Sequence, residues 1–336
     1  VAIVYLKTGS LNLAQLAALA PTHLHDPAGL AAFVLLLIGF GVKAELFPVN
    51  TWVPEVYATA PARISALLAG LVSKLAVLVI VRLLLLVFNQ PEAAQVMLVL
   101  GVLGMLVGEL SAWRAKDFPR LLAFSSIGQL GMVFIAFSLP GQAGLLAGLA
   151  VTLHHLVVKP ALFGLTVRWS GSLASMTGAA RGSPVAAGLF LFFSLSLIGV
   201  PPLPGFWAKL LVLTGLANAG EALHMAALAA ILLVTVLEAN YLFRLAAGLF
   251  RHSEARGQSH ALPDIGAAAL LAALLLAVTV GMAPVGDTLR GIAKQAADAQ
   301  GYVSSVLAAS GPRQAGVVAA PAEADRDYSL TRRERP

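Results

Sequence analysis

The chain has 336 residues, of which 59% are hydrophobic and only 11% charged, with mean hydropathy +0.86 and a formal net charge of +6. Soluble domains carry about 25% charged residues, so this composition excludes one large globular core and describes a polytopic membrane protein. With no cysteine, disulfides, cysteine-ligated iron–sulfur clusters and thiolate zinc sites are excluded, and no basic, aromatic-rich soluble face exists for nucleic acid.

Val1–Leu6 (VAIVYL) is far short of the ~20 residues that cross a bilayer. It is expected to be the end of a membrane helix whose remainder precedes it, so residues 1–27 are assigned to that helix end and an external loop. Eight apolar segments follow: Ala28–Val53, Ile64–Phe88, Ala94–Trp113, Phe118–Leu139, Ala143–Val167, Val185–Leu216, Ala222–Phe250 and Ile265–Ala283. The first and sixth are long and interrupted. After Pro284 the hydrophobicity falls. Asp287–Leu307 keeps enough helical periodicity to lie at the membrane interface, and Ala309–Pro336 is expected to be disordered.

Basic residues mark alternate connections. Those after odd-numbered segments carry Arg63, then Arg114, Lys116 and Arg120, then Arg168 and Arg181, then Arg244, Arg251 and Arg256. The connections Pro140–Gln142 and Ala217–Glu221 have none, and Arg82 is the main exception. The positive-inside rule places the odd connections in the cytoplasm. The two interrupted segments then run in opposite directions, as an inverted-topology repeat requires. The resulting division is 28–88 for the end of a first repeat, 89–250 for a second, 264–284 for a last membrane helix, and 285–336 for an interfacial and disordered tail.

Ionisable groups inside these segments are the candidate functional residues, because a charge at bilayer depth costs about 2.5–3.5 kcal/mol on insertion scales. Lys43 stands just before Glu45 and Pro48 in GFGVKAELFP. The proline disrupts the turn before it and frees carbonyl groups, which are tolerated at membrane depth where they face protein or a hydrated cavity. The bland alternative is a structural kink whose lysine pairs with a nearby carboxylate. Lys74 is nearly centred in its helix, with Ser73 beside it, which favours a relay role over a static one.

His154, His155 and Lys159 form LHHLVVK, with His155 and Lys159 on one helical face. Imidazole accepts and donates a proton near neutral pH, so this pair suits a proton wire, whereas histidines bonded to backbone are the structural alternative. No convergent carboxylate or thiolate supports a metal site, and no cofactor motif is present. Lys209 follows Pro201, Pro202, Pro204 and Gly205, a run that cannot be continuous helix. Glu238 lies well inside the seventh segment, as either a pathway carboxylate or the counter-charge to a lysine on another helix. Glu109 is nearer a helix end and reads as interfacial.

TGSLNLAQLA, GFGVKAELFPVNTWVPEVYATAPARISALLAGLVSKLAVLVIVR, RLLAFSSIGQLGMVFIAF, LHHLVVKPALF and SLSLIGVPPLPGFWAKLLVL resemble the antiporter-like membrane subunits shared by respiratory complex I, membrane-bound hydrogenases and Mrp-type sodium/proton antiporters. The resemblance runs in order from about Thr8 to Phe250. The KAELFPVNTWVPEVYATAP and HHLVVK strings look closest to the D component of Mrp-type antiporters; SIGQLG and GFWAKL are shared more widely. The resemblance implies an all-α polytopic membrane protein, an inverted-repeat helix bundle with two discontinuous helices and about eight transmembrane helices in this chain.

It also implies that Lys43 and Lys209 are the broken-helix stations, Lys74 the station on the next helix, and His155 with Lys159 the central relay. The family's glutamate partner for the first lysine would lie before Val1. Pro160 replaces the small residue expected after Lys159, and Glu45 is atypical. The implied function is a proton-translocating subunit of a multi-subunit sodium/proton antiporter in the bacterial inner membrane. Its partners would be other membrane subunits, protons, sodium ions and the lipid bilayer. Two alternatives remain open: a proton-pumping subunit of NADH–quinone oxidoreductase or a related hydrogenase, without a redox centre of its own, and a silent membrane scaffold.

Overall fold

A computed structural model describes residues 1–169, 171–251 and 263–309, so Arg256 and the tail beyond Ala309 lie outside the described residues. Among these residues the chain is an all-α bundle. Three short helices come first: α1 (Ala2–Thr8), α2 (Leu13–His23) and α3 (Pro27–Gly41). The stretch expected as an external loop thus contains α2. Its start is set by Asn12, whose side chain accepts the Ala14 and Gln15 N–H groups, satisfying two of the donors that a helix leaves unpaired at its beginning. Asp26 caps α3 in the same way through Gly29, and Lys7 binds its carboxylate. Lys7 first, and then the Gly29 N–H, hold the Asp26 carboxyl below its ordinary range.

The chain then breaks at residues 42–52 and resumes as α4 (Val53–Thr59). One long span follows, composed of α5 (Ala62–Leu67), a π turn at Leu68–Val72 and α6 (Ser73–Leu86). Three more uninterrupted spans are α7 (Pro91–Arg114), α8 (Phe118–Ser138) and α9 (Gly141–Leu165). The second broken helix is α10 (Pro184–Ile198) with α11 (Pro204–Ala219), followed by α12 (Ala222–Phe250). Four uninterrupted spans separate the two broken helices, so strict alternation sends those two in opposite directions. Each break includes a cis peptide bond, at Phe47–Pro48 and at Pro201–Pro202.

The last membrane helix, α13 (Pro263–Val280), turns by 87° into α14 (Met282–Ala297), and α15 (Ala299–Ala309) ends the described chain. Arg82, the exception to the charge alternation, lies 4.5 Å from the ring centroid of Tyr302 on α15, which answers its charge with an aromatic face.

Helix α8 is buried along nearly its whole length and is the axis of the bundle. Small residues let it approach α7 closely. A Cβ at Gly108 would stand 2.5 Å from the Gly128 nitrogen, so the two backbones meet where any side chain would separate them. Two apolar cores form, not one. The first gathers Val77, Leu130, Val151, Val212 and Val234; the second gathers Ala69, Ile127, Val157, Leu197 and Tyr241. On each of these helices the core changes at the point where the polar residues lie.

Candidate functional site

The first break begins where α3 can no longer continue. Pro48 has no N–H to donate, and three side-chain and backbone groups take over the released carbonyls. The Trp52 indole donates to the Val42 oxygen (2.9 Å), the Asn50 amide to the Glu45 oxygen (3.2 Å), and the Leu46 N–H to the Gly41 oxygen (2.9 Å). Glu45 sits in the left-handed region with φ 58°, a conformation that costs a non-glycine residue about 1–2 kcal/mol. That turn aims its side chain into the protein, where it is 1% exposed and accepts the Tyr57 hydroxyl at 2.6 Å. Lys43, two residues earlier, is exposed on the outer surface of the described chain. The structure therefore does not bring Lys43 together with the other candidate lysines.

Lys74 is buried at the end of the π turn. A π turn shifts the hydrogen-bond register and leaves a carbonyl short of its usual donor, and such turns concentrate at functional sites. The Ala69 oxygen accepts both the Ser73 hydroxyl (3.2 Å) and the Lys74 ammonium, which also donates to the Ser73 hydroxyl at 3.0 Å. Pro160 of α9 packs on the same turn, since a Cβ at Gly70 would lie 2.4 Å from its ring. The atypical proline after Lys159 thus fits against the irregular turn before Lys74.

On α9, His155 Nε2 lies 3.5 Å from the Ser126 hydroxyl, at the limit of hydrogen-bond reach, and its Nδ1 is buried without a partner. His154 turns the other way, 2.9 Å from the Ser196 hydroxyl beside the second break. Lys159 is wholly buried and donates to the Ser125 hydroxyl at 2.6 Å.

The second break is built around Gly199 (φ 93°) and Gly205. A Cβ at Gly205 would stand 1.8 Å from the Ser196 oxygen, so only glycine lets the start of α11 press against the end of α10. Lys209 reaches back across the break, donating to the Ile198 oxygen (2.9 Å) and to the Glu238 carboxylate (2.7 Å). The other oxygen of Glu238 accepts the Gln129 amide at 2.6 Å. Glu238 is thus ion-paired with Lys209.

Three residues that sequence does not mark as site members complete the group. Glu109 is 1% exposed, and its carboxylate accepts the Tyr241 hydroxyl at 2.8 Å. Gln129 is the second partner of Glu238. Glu109 reads as interfacial in sequence because only its distance from the helix end is visible there. Its burial comes from Gly128 on α8, which leaves room for the carboxylate. The Gln129 and Tyr241 spacings carry no signal without the neighbouring helices.

Lys74, Gln129, His155, Lys209 and Glu238 all fall at the seam between the two apolar cores. The result is a polar layer crossing the bundle inside the membrane-spanning helices. Its ammonium, imidazole, hydroxyl and carboxylate groups can hold and hand on protons. Among the described residues no group of three or more His, Asp and Glu gathers as a metal ion would need.

A family model described as "NADH:quinone oxidoreductase/Mrp antiporter, TM" matches residues 1–235. The chain is 32% identical over 320 residues to the D component of the Na(+)/H(+) antiporter of Alkalihalophilus pseudofirmus, covering 91% of this chain and 64% of that protein. It is equally 32% identical over 256 residues to the N component of the NADH-quinone oxidoreductase of Desulforudis audaxviator, covering 73% of this chain and 50% of that one. It thus spans between half and two thirds of these relatives' own lengths. Among solved structures, a chain of the Mrp complex from Dietzia sp. superposes with a TM-score of 0.82 at 27% identity, over 91% of this chain and 66% of that one. A chain of respiratory complex I from Thermus thermophilus gives 0.72 at 30% identity, over 86% and 64%. Both neighbours are multi-subunit membrane complexes.

Proposed function

The chain belongs to the family of NADH:quinone oxidoreductase/Mrp antiporter membrane subunits, and from that premise we propose that it translocates protons within a multi-subunit monovalent cation/proton antiporter. The observation that carries the reading is the polar layer. Lys74, His155, Lys159, Lys209 and Glu238 are each at most 8% exposed, on adjacent helices of a multi-pass membrane bundle. Protons move from Lys74 through the His155–Lys159 station to Lys209, with Glu238 as its counter-ion, and His154 beside the second break. Loss of a proton at one station changes the electrostatic cost of charge at the next, which couples the stations.

Sodium is the exchanged ion in this reading, and a bacterial inner membrane is the setting. Support for sodium comes from the Na(+)/H(+) antiporter relative, which is matched over the larger share of this chain. The equal identity to a component of NADH-quinone oxidoreductase favours a second reading, in which the same layer serves a redox-driven pump whose electron carriers lie on other subunits. Lys43 joins the relay only if a group outside the described chain covers it.

The test uses the complete complex in vesicles, measuring radiolabelled sodium uptake and proton flux. Lys74→Ala and Lys209→Ala are each expected to lower flux about tenfold or more at normal assembly. Wild-type flux in both would remove the relay reading. Neighbouring genes separate the two settings: flavin and iron–sulfur subunits favour the redox pump, and small antiporter subunits favour exchange.

A further inference from the structure

Glu109 is a carboxylate buried to 1% exposure inside α7, and the relay above leaves it unused. The helices around it set its neighbours. Helices α8 and α12 are spans of opposite parity and run antiparallel. The 2.6 Å bond from the Gln129 amide to Glu238 fixes their register at one level. One turn nearer the start of α8 and the end of α12, Ser125 and Tyr241 continue the same two faces and adjoin one another. Lys159 donates to Ser125 at 2.6 Å, and Tyr241 donates to the Glu109 carboxylate at 2.8 Å. We propose that Glu109 is a further proton carrier, exchanging protons with Lys159 through the hydroxyls of Ser125 and Tyr241. The proposal rests on the relay reading above and adds a branch at its central station.

The polarity of this row follows from the chemistry of its ends. An ammonium only donates and a carboxylate only accepts, whereas a hydroxyl does both. Ser125 accepts from Lys159, so its own proton is free for the Tyr241 oxygen, and the Tyr241 proton is already committed to Glu109. All three donors then point from Lys159 to Glu109. Of the charges acting on Lys159, that of Glu109 is foremost, ahead of Glu238 and Glu45. The two lysines of the second half thus each have a carboxylate: Glu238 answers Lys209 directly, and Glu109 answers Lys159 across two hydroxyls.

In the transfer, an N–H bond of Lys159 and the O–H bonds of Ser125 and Tyr241 break. New O–H bonds form on Ser125, on Tyr241 and on Glu109 Oε2, and each electron pair stays on the atom that loses its proton. Lys159 ends as an amine and Glu109 as an acid, with both hydroxyls restored. Glu109 stands in the last turns of α7, whose end at Arg114 the positive-inside rule places in the cytoplasm. Polar contacts continue along α7 and α12 in that direction. The Trp113 indole donates to Asn240 at 3.2 Å, and Arg244 donates to the Trp113 oxygen at 3.1 Å. The branch therefore leads from Lys159 toward the cytoplasmic end of the bundle.

The experiment measures proton flux per assembled complex in vesicles. Glu109→Gln keeps the shape and the acceptor for Tyr241 but cannot take up the proton, and it is expected to lower flux about tenfold or more. Glu109→Asp keeps the acid and should retain clearly more flux than Glu109→Gln. A glutamate that serves packing alone gives the reverse order, near-normal flux with Gln and less with Asp, and that order overturns the proposal. Wild-type flux in Glu109→Gln alongside an inactive Lys159→Ala also overturns it and leaves the relay reading standing. Wild-type flux in both Lys74→Ala and Lys209→Ala removes the relay and the proposal with it. Should Glu109→Gln fail to assemble, Tyr241→Phe takes its place, because it leaves the bond from Lys159 to Ser125 intact. A several-fold loss then supports the proposal, and unchanged flux overturns it.

Discussion

The Lys209 ammonium lies 2.7 Å from the Glu238 carboxylate while also binding the Ile198 carbonyl across the break, so one cation joins both halves of α10–α11 to α12. Removing one member of such a buried pair strands the other charge, at a cost of about 3–5 kcal/mol. Lys209→Met and Glu238→Gln should each lower the melting temperature of the purified complex. The double variant should melt above the Lys209→Met single, because no charge is then left without a partner. Additive losses would contradict the pairing.

Gly205→Ala places a carbon 1.8 Å from the Ser196 oxygen and 2.8 Å from His154 Nε2. Overpacking of this kind costs about 1–3 kcal/mol. Gly188 on α10 has nothing within 4 Å of the corresponding position, so Gly188→Ala should instead stabilise its helix by about 0.5–1 kcal/mol. Opposite shifts in thermal unfolding are expected, and shifts of the same sign would reject the close approach at the second break.

Tyr241→Phe leaves the Glu109 carboxylate without its 2.8 Å donor. An unsatisfied buried acceptor costs about 1–3 kcal/mol. In a double-mutant cycle with Glu109→Gln the two losses should be clearly less than additive. Independent losses would mean that the hydroxyl and the carboxylate do not act on each other.

Lys43→Ala should change the chain's own unfolding free energy by no more than about 0.5 kcal/mol, because the side chain is exposed. A loss as large as that of Lys209→Met would place Lys43 in a buried contact. The comparison is made by denaturant unfolding in detergent.

Arg82→Ala and Tyr302→Ala both remove the cation–ring contact between α6 and α15. The contact is worth about 0.5–1 kcal/mol at an exposed site. Each change should raise amide exchange along α15 while leaving α8 unaffected. Unaltered exchange in both would show that α15 is held by its other contacts alone.

The spans and the breaks are legible in sequence because their signals are local. An apolar run of about the bilayer's width and a Pro-rich interruption are visible without any neighbour. Lys74, Lys159 and Lys209 stand out for the same reason, as charges within apolar sequence. The facing of Lys43 and Glu45 is not legible. Once the chain leaves α-helical geometry after Gly41, the 3.6-residue period no longer tells which side chain turns inward, and the φ of one residue decides it. Glu109 is hidden differently: its depth depends on Gly128 of another helix. Helix α2 reads as loop because it is short and follows polar residues, although Asn12 is a proper helix-start signal.

Lys74 and Lys209 rest on main-chain oxygens, those of Ala69 and Ile198. Such ligands have no codon of their own. A side-chain substitution at position 69 or 198 retains the oxygen, so this half of each lysine's coordination is indifferent to sequence drift and answers only to the path of the backbone. Replacing the amide that follows each of these residues with an ester would weaken its carbonyl as an acceptor, a perturbation open to chemical synthesis and closed to ordinary mutation.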